Sequence, residues 1–302
     1  MNQRTTAEGK YDSIRDGSFN YGDPVVDIDF TGVIYPKYIQ VISKVEPTYA
    51  EVTSNGEVEQ IKVKDPNRPR NMLTATLRFD YGGPTSTSLL GQNFDYSQVS
   101  EFIINGESLP IPMDSGYYTV NDGIDYNIEV EFESLTDCNQ MFNDCEATSL
   151  DISKLDTSDV TDMAEMFCWC EKLKSLDVSH LKTSKVTSMY AMLKGVGAST
   201  LDVSGFDTSN VTDMSDMFGY LPNVTTLDLS NFNLSKVTNM SMMFFNCKSL
   251  TSVTMMGDVS NVSNVHAMFN NITTNGTFYY NSAYDYSKII AALPSTWTAV
   301  PL

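Results

Sequence analysis

The stretch FDTSNVTDMSDMF, Phe206 to Phe218, places Met214 and Met217 three residues apart behind a run of Asp, Thr, Ser and Asn. Closely spaced thioethers suit a soft metal ion or an adaptable apolar surface. Five cysteines widen the set of soft ligands, and two of them flank a tryptophan in Cys168-Trp169-Cys170. That spacing is too short for an ordinary zinc pair, and no second Cys/His cluster exists to complete a tetrahedron. The two histidines, His180 and His266, have no nucleophile at a spacing that makes a catalytic relay. No glycine-rich phosphate loop occurs. Carboxylates are abundant enough for a paired-carboxylate hydrolase, but nothing in the sequence singles out a pair. The chain is therefore read as non-enzymatic, with no catalytic, cofactor-binding or metal residues.

The methionines make sense only in a repeat. Four copies begin at Leu150, Leu176, Leu201 and Leu227, spaced 26, 25 and 26 residues, and open LDISKLDTSDVTDMAEMF, LDVSHLKTSKVTSMYAML, LDVSGFDTSNVTDMSDMF and LDLSNFNLSKVTNMSMMF. A weaker fifth begins at Val253, and a half copy, LTDCNQMFNDC, begins at Leu135. LDVS alternates apolar and polar, the pattern of a short strand. Val211, Met214, Met217 and Phe218 fall at i, i+3, i+6 and i+7, which predicts one face of a short helix or 3₁₀ turn. Aligned copies put Cys138, Met163, Met189, Met214, Met240 and Val265 in one column. Met141, Met166, Met192, Met217, Met243 and Met268 form the next. Cys145, Cys170 and Cys247 share a column with Val196, Leu221 and Ile272. Apolar types interchange this way in a buried column, so the methionines and these thiols are core, not ligands. A strand and a helical turn every 25 or 26 residues predict a leucine-rich-repeat solenoid, whose units bury their apolar faces by stacking.

These copies resemble the BspA-like leucine-rich repeats of bacterial surface proteins, over residues 135–276. The resemblance implies adhesion or recognition and brings no catalytic motif with it.

Other segments divide the chain further. Residues 1–24 are polar and aperiodic, an arm suited to lying along a partner or another subunit. Residues 25–95 predict an all-β anchoring domain, from VVDIDF, YIQVISKV, a hairpin at Asn55-Gly56 and MLTATLRFD. Within it, Lys62, Lys64, Arg68 and Arg70 form the basic cluster of the chain, a solvated loop or a docking patch for an acidic partner. Residues 96–134 predict a β cap before the repeats, with a second hairpin at Asn105-Gly106 and the alternating YNIEVEFE. Residues 277–302 predict a C-terminal cap built on a helix from Ala283 to Leu293. The expected fold class is mixed α/β and β-rich: a leucine-rich-repeat solenoid with an N-terminal all-β domain and a helical cap.

A formal net charge of −19 repels nucleic-acid phosphates and anionic membranes. No apolar run reaches the roughly 18 residues of a membrane span. The opening residues carry no apolar signal segment. The polar feature that stands out is a ladder: Asp151, Asp177, Asp202 and Asp228, flanked by Ser153, Ser179, Ser204 and Ser230. Carboxylates on strands about 4.8 Å apart repel by roughly 0.9 kcal/mol in bulk water. Hydroxyls and solvent offset this, or a row of oxygens takes Ca²⁺ or a cationic ligand. The functional expectation is a recognition protein that binds protein or glycan on a cell surface. The first setting is a phage virion, as a fibre or decoration protein docked to other subunits through its N-terminal region. The alternatives are a BspA-like adhesin on the bacterial surface and, more remotely, an enzyme with the repeats as a substrate-binding arm.

Overall fold

The computed structural model describes residues 38–41, 49–54, 57–62, 71–78, 85–87, 90, 94–105, 107–109, 118–120, 125–132 and 135–302. They fall into two compact units, Met1–Pro69 and Arg70–Leu302. In the first, β1 (Tyr38–Val41), β2 (Tyr49–Ser54) and β3 (Glu57–Lys62) form an antiparallel sheet. Ser54 pairs with Glu57, the register expected of a hairpin turning at Asn55-Gly56. Lys62 ends β3. The arm 1–24, VVDIDF, Lys64, Arg68 and Arg70 lie outside the described residues.

The second unit begins with β4 (Asn71–Arg78), followed by β5 (Thr85–Thr87), a 3₁₀ turn (Tyr96–Gln98), β6 (Val99–Ile104) and β7 (Glu107–Leu109). Then come β8 (Tyr118–Val120), β9 (Asp125–Phe132) and β10 (Ala147–Asp151). Five of these strands form an antiparallel sheet in the order β10-β4-β9-β6-β7, and β5 pairs with β8. Alternation decides the faces: Ile128, Val130 and Phe132 of β9 and Leu73 and Ala75 of β4 are buried, with Phe94 edge-on to Phe132. Gln98 closes the first coil. Its buried amide accepts from Thr136 N and Asp137 N (2.9 and 3.3 Å) and donates to the Asp137 carbonyl (3.0 Å), occupying groups a preceding coil would otherwise pair.

The repeats stack as expected, and their core columns hold. Met163, Met189, Met214 and Met240 are fully buried, as are the six methionines from Met141 to Met268 in the neighbouring column. Val265, in the last coil, is partly buried. Phe142, Phe167, Phe218, Phe244 and Phe269 stack through the coils at ring separations of 5.2–6.0 Å where aromatics are adjacent.

The helical half of each repeat is absent. Parallel bridges run from Asp137 to Asp162, Ser188, Asp213, Asn239 and Asn264. After them the backbone alternates its hydrogen bonds. Glu165, Phe167 and Trp169 donate to carbonyls of the next coil (2.7–2.9 Å), while Met166, Cys168 and Cys170 donate three residues back. Every second amide thus leaves its own coil, which an α-helix forbids. Two residues per coil sit at positive φ, from Gln140 and Asp144 in the first to Ala267 and Asn271 in the last. For non-glycine residues this costs about 1–2 kcal/mol each, offset by hydrogen bonds between coils. Four strands, β11 (Thr226–Leu229), β12 (Ser252–Met255), β13 (Gly276–Tyr280) and β14 (Trp297–Pro301), form a parallel sheet in that order.

The C-terminal cap differs in the same direction. Its helix α1 has five residues, Ser287–Ala291, with no side-chain N-cap at Tyr286. The end of the array is covered instead by β14, which pairs with β13 from Gly276↔Trp297 onward and buries Trp297. The expected fold class is therefore corrected. Among the described residues the structure is mostly β, a β-solenoid with almost no helix, and neither a leucine-rich-repeat strand–helix solenoid with a helical cap nor a mixed α/β fold.

Buried threonines tie the coils on another side. Thr157, Thr183 and Thr208 are 0–2% exposed. Each Oγ1 accepts from a backbone N–H of the next coil and donates to the same residue's carbonyl; for Thr183 the partner is Asp207, at 2.8 and 3.0 Å. Thr183→Val keeps the shape and strands the Asp207 amide. We expect a loss of about 1–3 kcal/mol, read by urea unfolding. The exposed Thr187→Val, which removes a bond to the Thr161 carbonyl, should cost under about 0.5 kcal/mol. Equal costs would remove the special role of the buried column.

Candidate ligand groove

Strand register assembles the polar residues into rows. Asp151 pairs with Thr74, and Thr74 with Glu129; on the far side Asp228 pairs with Thr254. With Asp177 and Asp202 from the intervening coils, an exposed acidic row runs from Glu129 to Asp228 across one face. Two residues earlier in each coil lies an exposed row of hydroxyls, Ser149, Ser175, Thr200 and Thr226, the last continuing by pairing into Ser252, Thr277 and Thr298.

These rows line two hollows. A groove of about 690 Å³ is bounded by Thr74, Asn127, Glu129, Asp151, Asp177 and Asp202, over a floor that includes Leu176 and Val178. A smaller one of about 230 Å³ adjoins it, bounded by Asp202, Ser204, Asp228, Ser230 and Asn231. Among the described residues no lysine or arginine lines either. Between β10 and β11 the two intervening coils belong to neither sheet, and the larger groove lies over that interruption.

The carboxylates have local work as well. Asp151, Asp177, Asp202 and Asp228 each accept, through Oδ1, the backbone N–H of Ser153, Ser179, Ser204 and Ser230 at 2.9–3.0 Å. These are Asx turns that close the strand segments. The serine hydroxyl and then the serine amide hold the Asp151, Asp177 and Asp202 carboxyls below their usual range, so these three are anionic at neutral pH. Matching turns recur at Asp156, Asp207, Asn233 and Asp258, and at Asp137, Asp162, Asp213, Asn239 and Asn264. Much of the chain's Asp and Asn content therefore shapes corners. Among the described residues no group of three or more His, Cys, Asp or Glu side chains is placed to hold a metal ion. Calcium at the ladder would rest on Oδ2 atoms and serine hydroxyls, since each Oδ1 serves its turn.

All five cysteines are free and buried. Burial raises the Cys168 and Cys247 thiols to about 12, well away from thiolate chemistry. His180 is exposed beside Asp177, 3.9 Å away, and His266 is exposed. Sequence reasoning missed three features: the hydroxyl row, whose signal is the recurrent Ser/Thr-Leu-Asp; Glu129, whose place depends on antiparallel register; and a buried pair, Lys194 and Asp216.

No curated protein and no solved structure matches the chain. The profile of a family described as "Mycoplasma protein of unknown function, DUF285" matches residues 117–220 and 175–281. Together the two matches span more than half of the sequence, from β8 to β13, and the chain belongs to that family.

Proposed function

We propose that the chain is a non-enzymatic recognition protein of attachment type, with its ligand lying in the acidic groove across the coils. One observation carries this reading: anionic and hydroxyl rows converge on a groove of about 690 Å³ with no cationic side chain among its described lining residues. Such a lining suits hydroxyl-rich or positively charged ligands and repels phosphates. Contacts spread over several coils sum many modest terms, as repeat surfaces do. Asp151→Asn, Asp177→Asn and Asp202→Asn together keep the Asx acceptors and remove the charge. The labelled chain is to be applied to arrayed bacterial and host glycans and to immobilised basic peptides. The triple variant should lose roughly tenfold or more in affinity, about 1.4 kcal/mol per tenfold. Undiminished binding overturns the groove, and a cleaved probe overturns the non-enzymatic reading. Mass spectrometry of purified virions against outer-surface fractions of the host tells which surface carries the chain.

A further inference from the structure

Lys194 and Asp216 lie on successive coils, away from the groove. Lys194 Nζ hydrogen-bonds Asp216 Oδ2, and the two side chains are 17% and 7% exposed. Asp216 Oδ1 is buried with no hydrogen-bond partner. Aromatic rings wall the pair: Nζ lies 5.5 Å from the Trp169 ring centroid and 5.2 Å from that of Tyr220. Those rings pack 5.1 Å apart, and Phe245 continues the row 5.3 Å from Tyr220. Two glycines make room. A Cβ on Gly195, at φ +69°, would stand 2.4 Å from Trp169 Cε3, and one on Gly219 would stand 2.1 Å from Asp216 Oδ1. Elsewhere the Gly195 column holds Asp144, Trp169, Tyr220, Asn246 and Asn271.

As an ion pair this arrangement is costly. Two charges are taken out of water, and one carboxylate oxygen finds no donor. An amide removes both charges and leaves one neutral carbonyl oxygen in place of the orphan. We propose that Lys194 and Asp216 are joined by an intramolecular isopeptide bond, Nζ to Cγ, that staples one coil to the next. The atoms balance without an added reagent. One ammonium proton passes to Oδ2 along the existing hydrogen bond, the freed Nζ lone pair attacks Cγ, and the Cγ–Oδ2 bond breaks. Oδ2 leaves as water with a second proton from Nζ, Oδ1 becomes the amide carbonyl, and Nζ keeps one hydrogen. The fold supplies what amide formation lacks in water: reacting groups held in contact, with effective molarities of about 10⁵–10⁸ M for well-oriented pairs, and little surrounding water to reverse the step. Burial raises the Asp216 carboxyl, toward the acid form that must lose its hydroxyl. Burial also pulls the Lys194 ammonium down, but its hydrogen bond and charge pairing with Asp216 outweigh this and raise it, so the proton that must move is the one between them.

Intact mass of the full chain, denatured and reduced, tests the bond. The wild type should be lighter than its sequence by one water. Trypsin should fail to cut after Lys194, and fragmentation should place the missing water between Lys194 and Asp216. Lys194→Met and Asp216→Ala should each restore the full sequence mass. A wild-type chain at full mass that is cut after Lys194, or a water lost at another position such as an Asp-Gly step, overturns the proposal, and neither result depends on a variant folding.

Discussion

Replacing Phe244 by alanine should destabilise the solenoid by about 3–5 kcal/mol, seen as a lower urea midpoint by circular dichroism. Phe244 is fully buried between Phe218 and Phe269, with ring centroids 6.0 and 5.2 Å away and interplanar angles of 6° and 28°. The cavity left by truncation would open against both neighbouring coils. Its walls could close only by moving backbone that is hydrogen-bonded across the same gap, Phe218 N to the Met243 carbonyl and Phe244 N to the Met268 carbonyl, at 3.0 and 2.9 Å. Relaxation is therefore poor, and the cost sits high in its range. In a solenoid each coil contacts only its neighbours, so the loss is not shared across a wider core. The same column supplies a control. Leu193 holds this position one coil before Phe218 and is equally buried, so Phe244→Leu should cost under about 1.5 kcal/mol. If alanine and leucine cost the same, packing in this column is not what holds the coils together.

The core was legible because burial repeats. Met, Cys and Val exchange within one column, and that substitution pattern survives any local backbone geometry. The geometry itself was misread for a physical reason. Val211, Met214, Met217 and Phe218 point inward at helical spacing, yet their backbone sends alternate amides to the next coil. A sign of this lay in another column. Asp144, Gly195, Asn246 and Asn271 recur where φ is 57–69°, and Asp, Asn and Gly are the residues that accept the left-handed region. Four of the six coils carry such a residue, Trp169 and Tyr220 fill the other two, and a positive φ in every coil breaks a helix there. Thr157, Thr183 and Thr208 lie in polar runs of turn-forming composition, although Leu234 stands in their column and is fully buried. A threonine that exchanges with leucine is inside. For the groove, the Asp ladder could be read from the repeat, whereas Glu129 could not. Its neighbour in the row is chosen by the pairing of β4 with β9 and β10, outside the repeat.

Gly197→Ala is the smallest substitution with a large expected cost. The residue has no special φ to explain it; close approach of backbone does. A Cβ there would stand 1.9 Å from the Glu171 carbonyl oxygen, 2.8 Å from its carbon and 3.0 Å from the Leu173 carbonyl oxygen. These are main-chain atoms of the preceding coil, so no rotamer change relieves the clash. The methyl fits only if the coils part. Parting them breaks the bond from Gly197 N to the Cys170 carbonyl (3.1 Å) and disturbs the one from Asn223 Nδ2 to the Gly197 carbonyl (2.8 Å). It also loosens Val196 and Ala198, which are both fully buried. Overpacking against yielding side chains costs about 1–3 kcal/mol, and an unyielding backbone with a lost buried bond should take the total to about 3 kcal/mol or more. Gly205 gives the comparison, since a Cβ there meets only the Ser179 carbonyl oxygen at 3.6 Å, an ordinary contact. Gly205→Ala should leave the urea midpoint nearly unchanged. If the two alanine variants unfold together, the close approach of the first and second full coils at Gly197 does not fix the stacking distance, and the threonine column must set it alone.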